Sequence, residues 1–306
     1  MNRKMPLLIA AGLFAGSLYA ETNWKTWIRP AGTVAKADSA KFDAPAGKRT
    51  EFAHKVKLEN GNFYKISFDL EFPGNAPETF KSGFFNHELP FSFMETKAGK
   101  GKLSPVFYTY AKKDFDIWFR VYFVAKTDVK GVFSNPGLEK LPADALKKIT
   151  IPENTENVAN WVQPGWMKNA LNIETVDAAD HIDEGKAVKV SIPAGVKVKS
   201  ADLRSNAIPL LPETNYKASV WIKGNGMGSG TIGIDAWVNR KTKHYYANGS
   251  IPVSKEWKLV EFAFRTPSAA EQPALEYRST RAKLGFRPNA ELTEIQFKDF
   301  TLEQVK

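Results

Sequence analysis

Two antiparallel β-sandwich domains with hardly any helix are what this sequence predicts, and three features carry that expectation. Short runs alternate apolar and polar residues; Gly, Pro, Asn and Asp punctuate them; and the run that starts at Val56 recurs from Ile208. Alternation with period two places every second side chain on one face of a strand. A series of such runs between turn residues, without a helical period, reads as sheets packed face to face.

The chain begins with "MNRKMPLLIAAGLFAGSLYA", which has a basic start at Arg3 and Lys4, an apolar run from Pro6 to Phe14, and small residues toward Ala20. That is the pattern of a secretory signal peptide occupying 1–20, although Leu18 is bulky for its place before the cut. An uncleaved anchor is the competing reading, but the apolar run is short for a bilayer. Export implies a periplasmic, cell-surface or extracellular protein of bacterial type, with no further transmembrane segment expected.

The chain has 306 residues and no Cys, which excludes disulfides, thiolate metal sites and cysteine nucleophiles together. A chain of this length splits naturally into two cores. Residues 1–20 hold two of the 43 basic residues and none of the 33 acidic ones, so the remainder is 41 against 33, a net +8. Such a balance suits an anionic partner, or serves solubility alone.

The clearest strand runs are 63–72, 116–125, 187–192, 216–223, 231–239 and 257–265. "VKLENGNFYKISFDLEF" from Val56 aligns with "IPLLPETNYKASVWIKG" from Ile208, setting Tyr64 on Tyr216 and Ser67 on Ser219. Each half opens on Asn-Trp, at Asn23-Trp24 and Asn160-Trp161, and closes on a similar strand. The expected division is a divergent domain at 21–143, a linker at 144–158 with a helical turn near Leu146 to Ile149, and a second domain at 159–306.

"LPETNYKASVWIKGNG", "SKEWKLVEFAFRTP" and "LGFRPNAELTEIQFKDFTLEQV", with "DEGKAVKVSI" upstream, resemble carbohydrate-binding modules of the family 4/9 (CenC-like) type. The resemblance covers most of the second half; in the first it rests on the Tyr64 strand and the closing strand. It implies two all-β, jelly-roll (galactose-binding-like) antiparallel β-sandwiches that bind polysaccharide or oligosaccharide in a cleft on one face. It also implies a structural Ca2+ near the chain ends, with Asp299 at a position where a carboxylate serves. One Asp is little for a cation that wants several oxygens, and Asn135 takes the matching place in the first half.

The stretch "KGNGMGSGTIGIDAW" carries glycines at 224, 226, 228 and 230. A dinucleotide loop needs a helix after its glycines, whereas "TIGIDAWVN" alternates as a strand, so the glycines read as a hairpin turn and no organic cofactor is expected. Alternation then puts Trp221 on the face away from the core in one strand, and Asp235, Trp237 and Asn239 on that face in the next. The expected site stacks sugar rings on Trp221 and Trp237, with Asp235, Asn239 and Arg287 as hydrogen-bonding partners. The alternative is that a loop or the other domain covers this face. Tyr245 lies in a basic tract, "RKTKHYYANGS", that suits an acidic glycan or is a solvated hairpin tip. In the first half Trp118, Arg120 and Tyr122 share an outward face, which either binds or packs against the second domain. Trp161 and Trp257 read as structural.

No nucleophile or HExxH spacing is present, and the reading is non-catalytic; "FFNHELPF" around His87 is the one place to look for a lyase-like set. A structural or adhesive surface protein, and a jelly-roll lyase or glycoside hydrolase, stand as alternatives. Nucleic acid is not an expected partner.

Overall fold

The computed structural model describes residues 35–36, 39–84, 94–142, 147–150, 155, 157–164, 167, 170–178, 180–181, 183–208, 210–236, 245–268, 270–272 and 280–306. The signal-peptide segment, Asn23-Trp24, His87, Trp237 and Asn239 lie outside them. The strands are β1 (Ala35–Lys36), β2 (Ser39–Ala44), β3 (Arg49–Leu58), β4 (Asn62–Phe72), β5 (Thr79–Phe84), β6 (Met94–Lys97), β7 (Gly101–Leu103), β8 (Val106–Ala111), β9 (Phe115–Val124), β10 (Val129–Leu141) and β11 (Lys148–Thr150). They continue as β12 (Trp161–Val162), β13 (Asn172–Asp177), β14 (Lys186–Ser191), β15 (Ala201–Ile208), β16 (Asn215–Gly224), β17 (Gly228–Ala236), β18 (Tyr245–Val253), β19 (Lys258–Arg265), β20 (Thr280–Arg287) and β21 (Glu294–Gln304). Where a helical turn was expected near Ile149, β11 instead pairs with β21.

The first half packs the sheet β1-β2-β10-β4, extended by β7 and β8 along the free edge of β4, on the sheet β3-β9-β5-β6. The second packs β13-β14-β21-β16-β19 on β12-β15-β20-β17-β18. Taking β2, β3, β4, β5, β6, β8, β9 and β10 as eight strands in chain order, and β14 to β21 likewise, both copies pair the same members in the same order. That order is the jelly roll: two antiparallel sheets whose strands alternate between layers.

The repeat persists in detail. The Tyr64 hydroxyl accepts the Glu59 N–H at 2.8 Å, and that of Tyr216 accepts the Leu211 N–H at 2.9 Å, each five residues back. Each copy also bulges its last strand on a residue in the left-handed region, Asn135 at φ 50° and Asp299 at φ 53°. Asn and Asp tolerate that region better than other side chains with a Cβ.

The two cores differ in chemistry. In the first, Phe68 meets the rings of Phe80, Phe107, Phe119 and Phe133 at centroid distances of 5.6–6.3 Å, and Phe52 stacks on Phe133 at 4.5 Å. The second is mainly aliphatic, with Val220, Ile222, Ile232, Ile234, Leu284 and Leu302 all buried, and Trp161 set edge-on against Phe297 at 4.8 Å. Trp161 donates its indole N–H to the Thr155 carbonyl, consistent with its structural reading.

The halves share material across their boundary. Phe63 and Tyr108, on the outer face of the first sheet, pack into the second core, while Ala159 and Val162 pack into the first. Between them Val106, at the start of β8, is held by two buried amides. Its N–H donates to Asn160 Oδ1 at 2.9 Å, its carbonyl accepts from Asn206 Nδ2 at 3.0 Å, and Asn206 Nδ2 also reaches Asn160 Oδ1 at 3.0 Å. The pair supplies what a neighbouring strand would supply to an otherwise open edge.

Removing one of these amides strands buried backbone groups, at a cost of about 1–3 kcal/mol. Asn160→Ala is therefore expected to lower the denaturation midpoint and to open the 142–160 stretch to limited proteolysis, whereas the surface substitution Lys48→Ala leaves both unchanged.

Candidate functional site

The glycine stretch is not a hairpin. β16 and β17 lie in opposite sheets, so residues 224–228 cross from one layer to the other. None of these glycines takes a positive φ. They are needed for close approach: a Cβ on Gly224 would meet Leu292 at 2.4 Å and Val253 at 2.7 Å, and one on Gly226 would meet the Glu291 carbonyl at 2.3 Å. Asn225 fastens the crossing by accepting the N–H groups of Thr293 and Glu294. The hairpin of this region is β17–β18.

Trp221 and Asp235 consequently face away from each other, on the outer surfaces of opposite sheets. Trp221 meets the buried His181 imidazole edge-to-face at 4.7 Å, and His181 in turn meets Trp257 at 5.1 Å. Asp180 accepts from Trp257 Nε1 at 3.0 Å and from Lys223 Nζ at 2.5 Å. The expected pairing of Trp221 with Asp235 in one site is corrected on this ground: period two assigns a face of a strand but not the sheet to which that face belongs.

The metal expectation meets a different arrangement. The Asp299 carboxylate lies 3.6 Å from the buried Lys298 ammonium, which donates to the Glu184 carbonyl at 2.6 Å. A hard cation needs six or more oxygens and no adjoining ammonium. Among the described residues no group of three His, Cys, Asp or Glu side chains is placed to hold a metal ion, and those around Asp299 do not fit calcium.

Two outward sheet faces remain. On β9 Trp118, Arg120 and Tyr122 share the outer face, half-buried, while Ile117, Phe119, Val121 and Phe123 enter the core. Arg120 lies between small neighbours, Ala53 on β3 and Gly83 on β5, so the two rings flank a shallow floor. Glu51 takes the Arg120 guanidinium at 3.1 Å and that of Arg49 at 2.8 Å, and Arg49 covers the Tyr122 ring at 3.9 Å. Among the described residues the main contacts between the halves run through β8 with β15 and β6 with β12, at the edges of the sheets, and not through β9.

The matching face of the second copy lies on β12-β15-β20-β17-β18. Gly83 opposes Arg120 as Gly233 opposes Lys283, so Trp118, Arg120 and Tyr122 correspond to Arg281, Lys283 and Gly285. Glu51, opposite Tyr122, corresponds to Asp202, opposite Gly285. Asp235 is only 4% exposed; its Oδ2 lies 2.5 Å from Arg204 Nε, and its Oδ1 is buried with no hydrogen-bond partner among the described residues. Burial pushes the Arg281 guanidinium pKa down to about 10, with the Asp235 charge raising it and Arg204 lowering it, which leaves it charged at neutral pH. Arg287 is exposed at the far end of β20. Tyr245 begins β18 opposite Ala236, with its side chain outside the described residues. Arg204, Arg281 and Lys283 were missed in the sequence; their alternation with Leu203, Ala282 and Leu284 was the available signal.

No known family profile matches the chain, and no curated protein does. Among solved structures it is similar to the tandem CBM22-1–CBM22-2 domains of Paenibacillus barcinonensis Xyn10C, at 11% identity and TM-score 0.40, covering 94% of this chain and 95% of that one. It is also similar to TmCBM61 in complex with β-1,4-galactotriose, at 15% identity and TM-score 0.35, covering 51% and 99%. A CBM4 structure gives 13% identity and TM-score 0.30, covering 52% and 94%. The neighbours are carbohydrate-binding modules of several families at low identity, and the family 4/9 type is not singled out among them. No helix among the described residues is long and apolar enough to cross a membrane.

Hydrogen bonds from Lys223 and then Trp257 hold the Asp180 carboxyl below its usual range, against a smaller effect of burial. A carboxyl with a lowered folded pKa stabilises the fold above its unfolded value, about 4, and the contribution is lost as pH falls through the folded value. Acidification below about pH 4 is expected to release the Trp257 indole and shift its emission. In Asp180→Asn the emission is already shifted at pH 7 and changes less on acidification.

Proposed function

We propose that this is an exported, non-catalytic protein that binds glycan chains on the outer faces of its two jelly rolls. The observation that carries the proposal is the β9 face, where the half-buried Trp118 ring stands beside Arg120, between Ala53 and Gly83, with the Tyr122 ring beyond it capped by Arg49. Flat rings take the C–H faces of sugars, while a fixed guanidinium donates to hydroxyls at the ring edge. Trp221, spent on His181, contributes as packing in this scheme, and Asp235 belongs to the face of the second copy.

The non-catalytic reading is supported by the state of the carboxylates on these faces. Glu51 is bound by Arg49 and Arg120, and Asp235 by Arg204. A glycosidase needs a pair of carboxyl groups open to the substrate, one as acid and one as base or nucleophile, and here guanidinium partners occupy these side chains. The N-terminal pattern of 1–20 supports export.

An open face of this kind binds with Kd on the order of millimolar to micromolar. In affinity electrophoresis across neutral and acidic polysaccharides, at least one polymer is expected to retard the chain. Trp118→Ala is expected to weaken that retardation about tenfold, which corresponds to ~1.4 kcal/mol. Unchanged retardation in both Trp118→Ala and Tyr122→Ala overturns the assignment of the β9 face.

A further inference from the structure

We infer that the glycan taken by the second copy is acidic, and that a sugar carboxylate docks on Arg281 beside Asp235. The inference rests on the glycan-binding reading above and adds the charge class of the ligand.

Arg281 sits on β20 between Ala207 of β15 and Asp235 of β17. Among the described residues none accepts a hydrogen bond from its guanidinium, although burial has removed much of its water. Asp235 stands opposite Arg281 across the β17–β20 pair, but its Oδ2 is already held by Arg204. Among the described residues no carboxylate is within ion-pair distance of the Arg281 guanidinium, and in a partly dehydrated place an ionic hydrogen bond is stronger than in water. A guanidinium fork fits a carboxylate with two parallel N–H···O bonds, a geometry that a neutral hydroxyl cannot fill.

The surroundings carry the same sign. Lys283 and Arg287 follow Arg281 on the outer face of β20, so the cations extend about 20 Å along the strand. Lys283 has only a long contact, 3.7 Å, to Asp202. With Arg204, four cations stand against the two carboxylates Asp202 and Asp235 on the described part of this face. Gly285 leaves the strand bare between Lys283 and Arg287, and the Asp202 carboxylate closes over it, since a Cβ there would meet Asp202 Oδ1 at 2.4 Å. A carboxylate carried on a sugar ring, the group a guanidinium fork selects, is the chemistry of a uronic acid residue. On β3, β9 and β5 the first copy's outer face is also basic, with Arg49, Lys55, Lys57, Lys81 and Arg120 against Glu51 and Asp116.

The test titrates the full chain with polygalacturonate, its carboxyl-reduced neutral counterpart, dextran sulfate and neutral xylan. Polygalacturonate is expected to bind, carboxyl reduction to weaken binding at least tenfold, and binding to fall as NaCl rises from 50 to 500 mM. Arg281→Gln is expected to lose tenfold or more on polygalacturonate while leaving xylan unchanged. Arg281→Lys, which keeps the charge without the fork, recovers part of the loss. If Arg281→Gln does not fold, the double variant Asp235→Asn/Arg281→Gln, which removes opposite charges together, gives the same reading. Equal binding of the carboxyl-reduced polymer overturns the acidic ligand while glycan binding stands. Equal binding of dextran sulfate with no effect of Arg281→Gln shows diffuse charge attraction and overturns the docking site. Absence of binding to every polymer overturns the glycan reading itself.

Discussion

The placement of the two jelly rolls against each other is anchored where one strand edge is satisfied by side chains. Val106 has β4 on one side, and on the other its N–H and carbonyl are taken by Asn160 and Asn206. A buried backbone amide without a partner is costly, and two amide side chains that also bond each other meet the need with fixed geometry. With β8 held against β15, Phe63 and Tyr108 complete the second core while Val162 and Ala159 complete the first. The molecule is better described as two sandwiches interlocked at an edge than as beads on a tether.

On this frame the two copies have kept topology and exchanged chemistry. Strand order, the Tyr64 and Tyr216 corners and the left-handed bulges at Asn135 and Asp299 coincide. Core composition does not, with phenylalanine in one and aliphatic side chains in the other. The outer faces diverge in the same way: ring, guanidinium, ring at Trp118, Arg120 and Tyr122 against guanidinium, ammonium and bare backbone at Arg281, Lys283 and Gly285. A backbone pattern constrains which positions look outward, and nothing in it constrains what those positions carry.

Much of the fold was legible because alternation is a local property. β4, β9, β16 and β19 fall within a residue or so of the runs read from the sequence, and Trp118, Arg120, Tyr122 and Trp221 look outward as read. What could not be read is which strand lies beside which. The glycines at 224–228 suggested a turn because glycine commonly relieves positive φ, yet here the demand is for absent Cβ atoms beneath Leu292 and Glu291. That demand is set by residues more than sixty positions away, and it moved Trp221 to the opposite surface from Asp235. Asp235 looked like an open ligand group because its partner, Arg204, comes from a strand that only the tertiary fold brings near. The Asn-Trp that opens the second half was visible as a repeat, but the role of Asn160 belongs to Val106, 54 residues earlier.

The interlocked edge also determines how the molecule bears load. In a tethered pair, tension applied between the modules first straightens the connecting chain, and the folded parts feel little until it is taut. Here the amide clasp and the exchanged core side chains lie directly in the line of force, so they are strained from the outset. The clasp adds a small set of buried hydrogen bonds that must break before the join opens, which makes it stiffer than a bare tether.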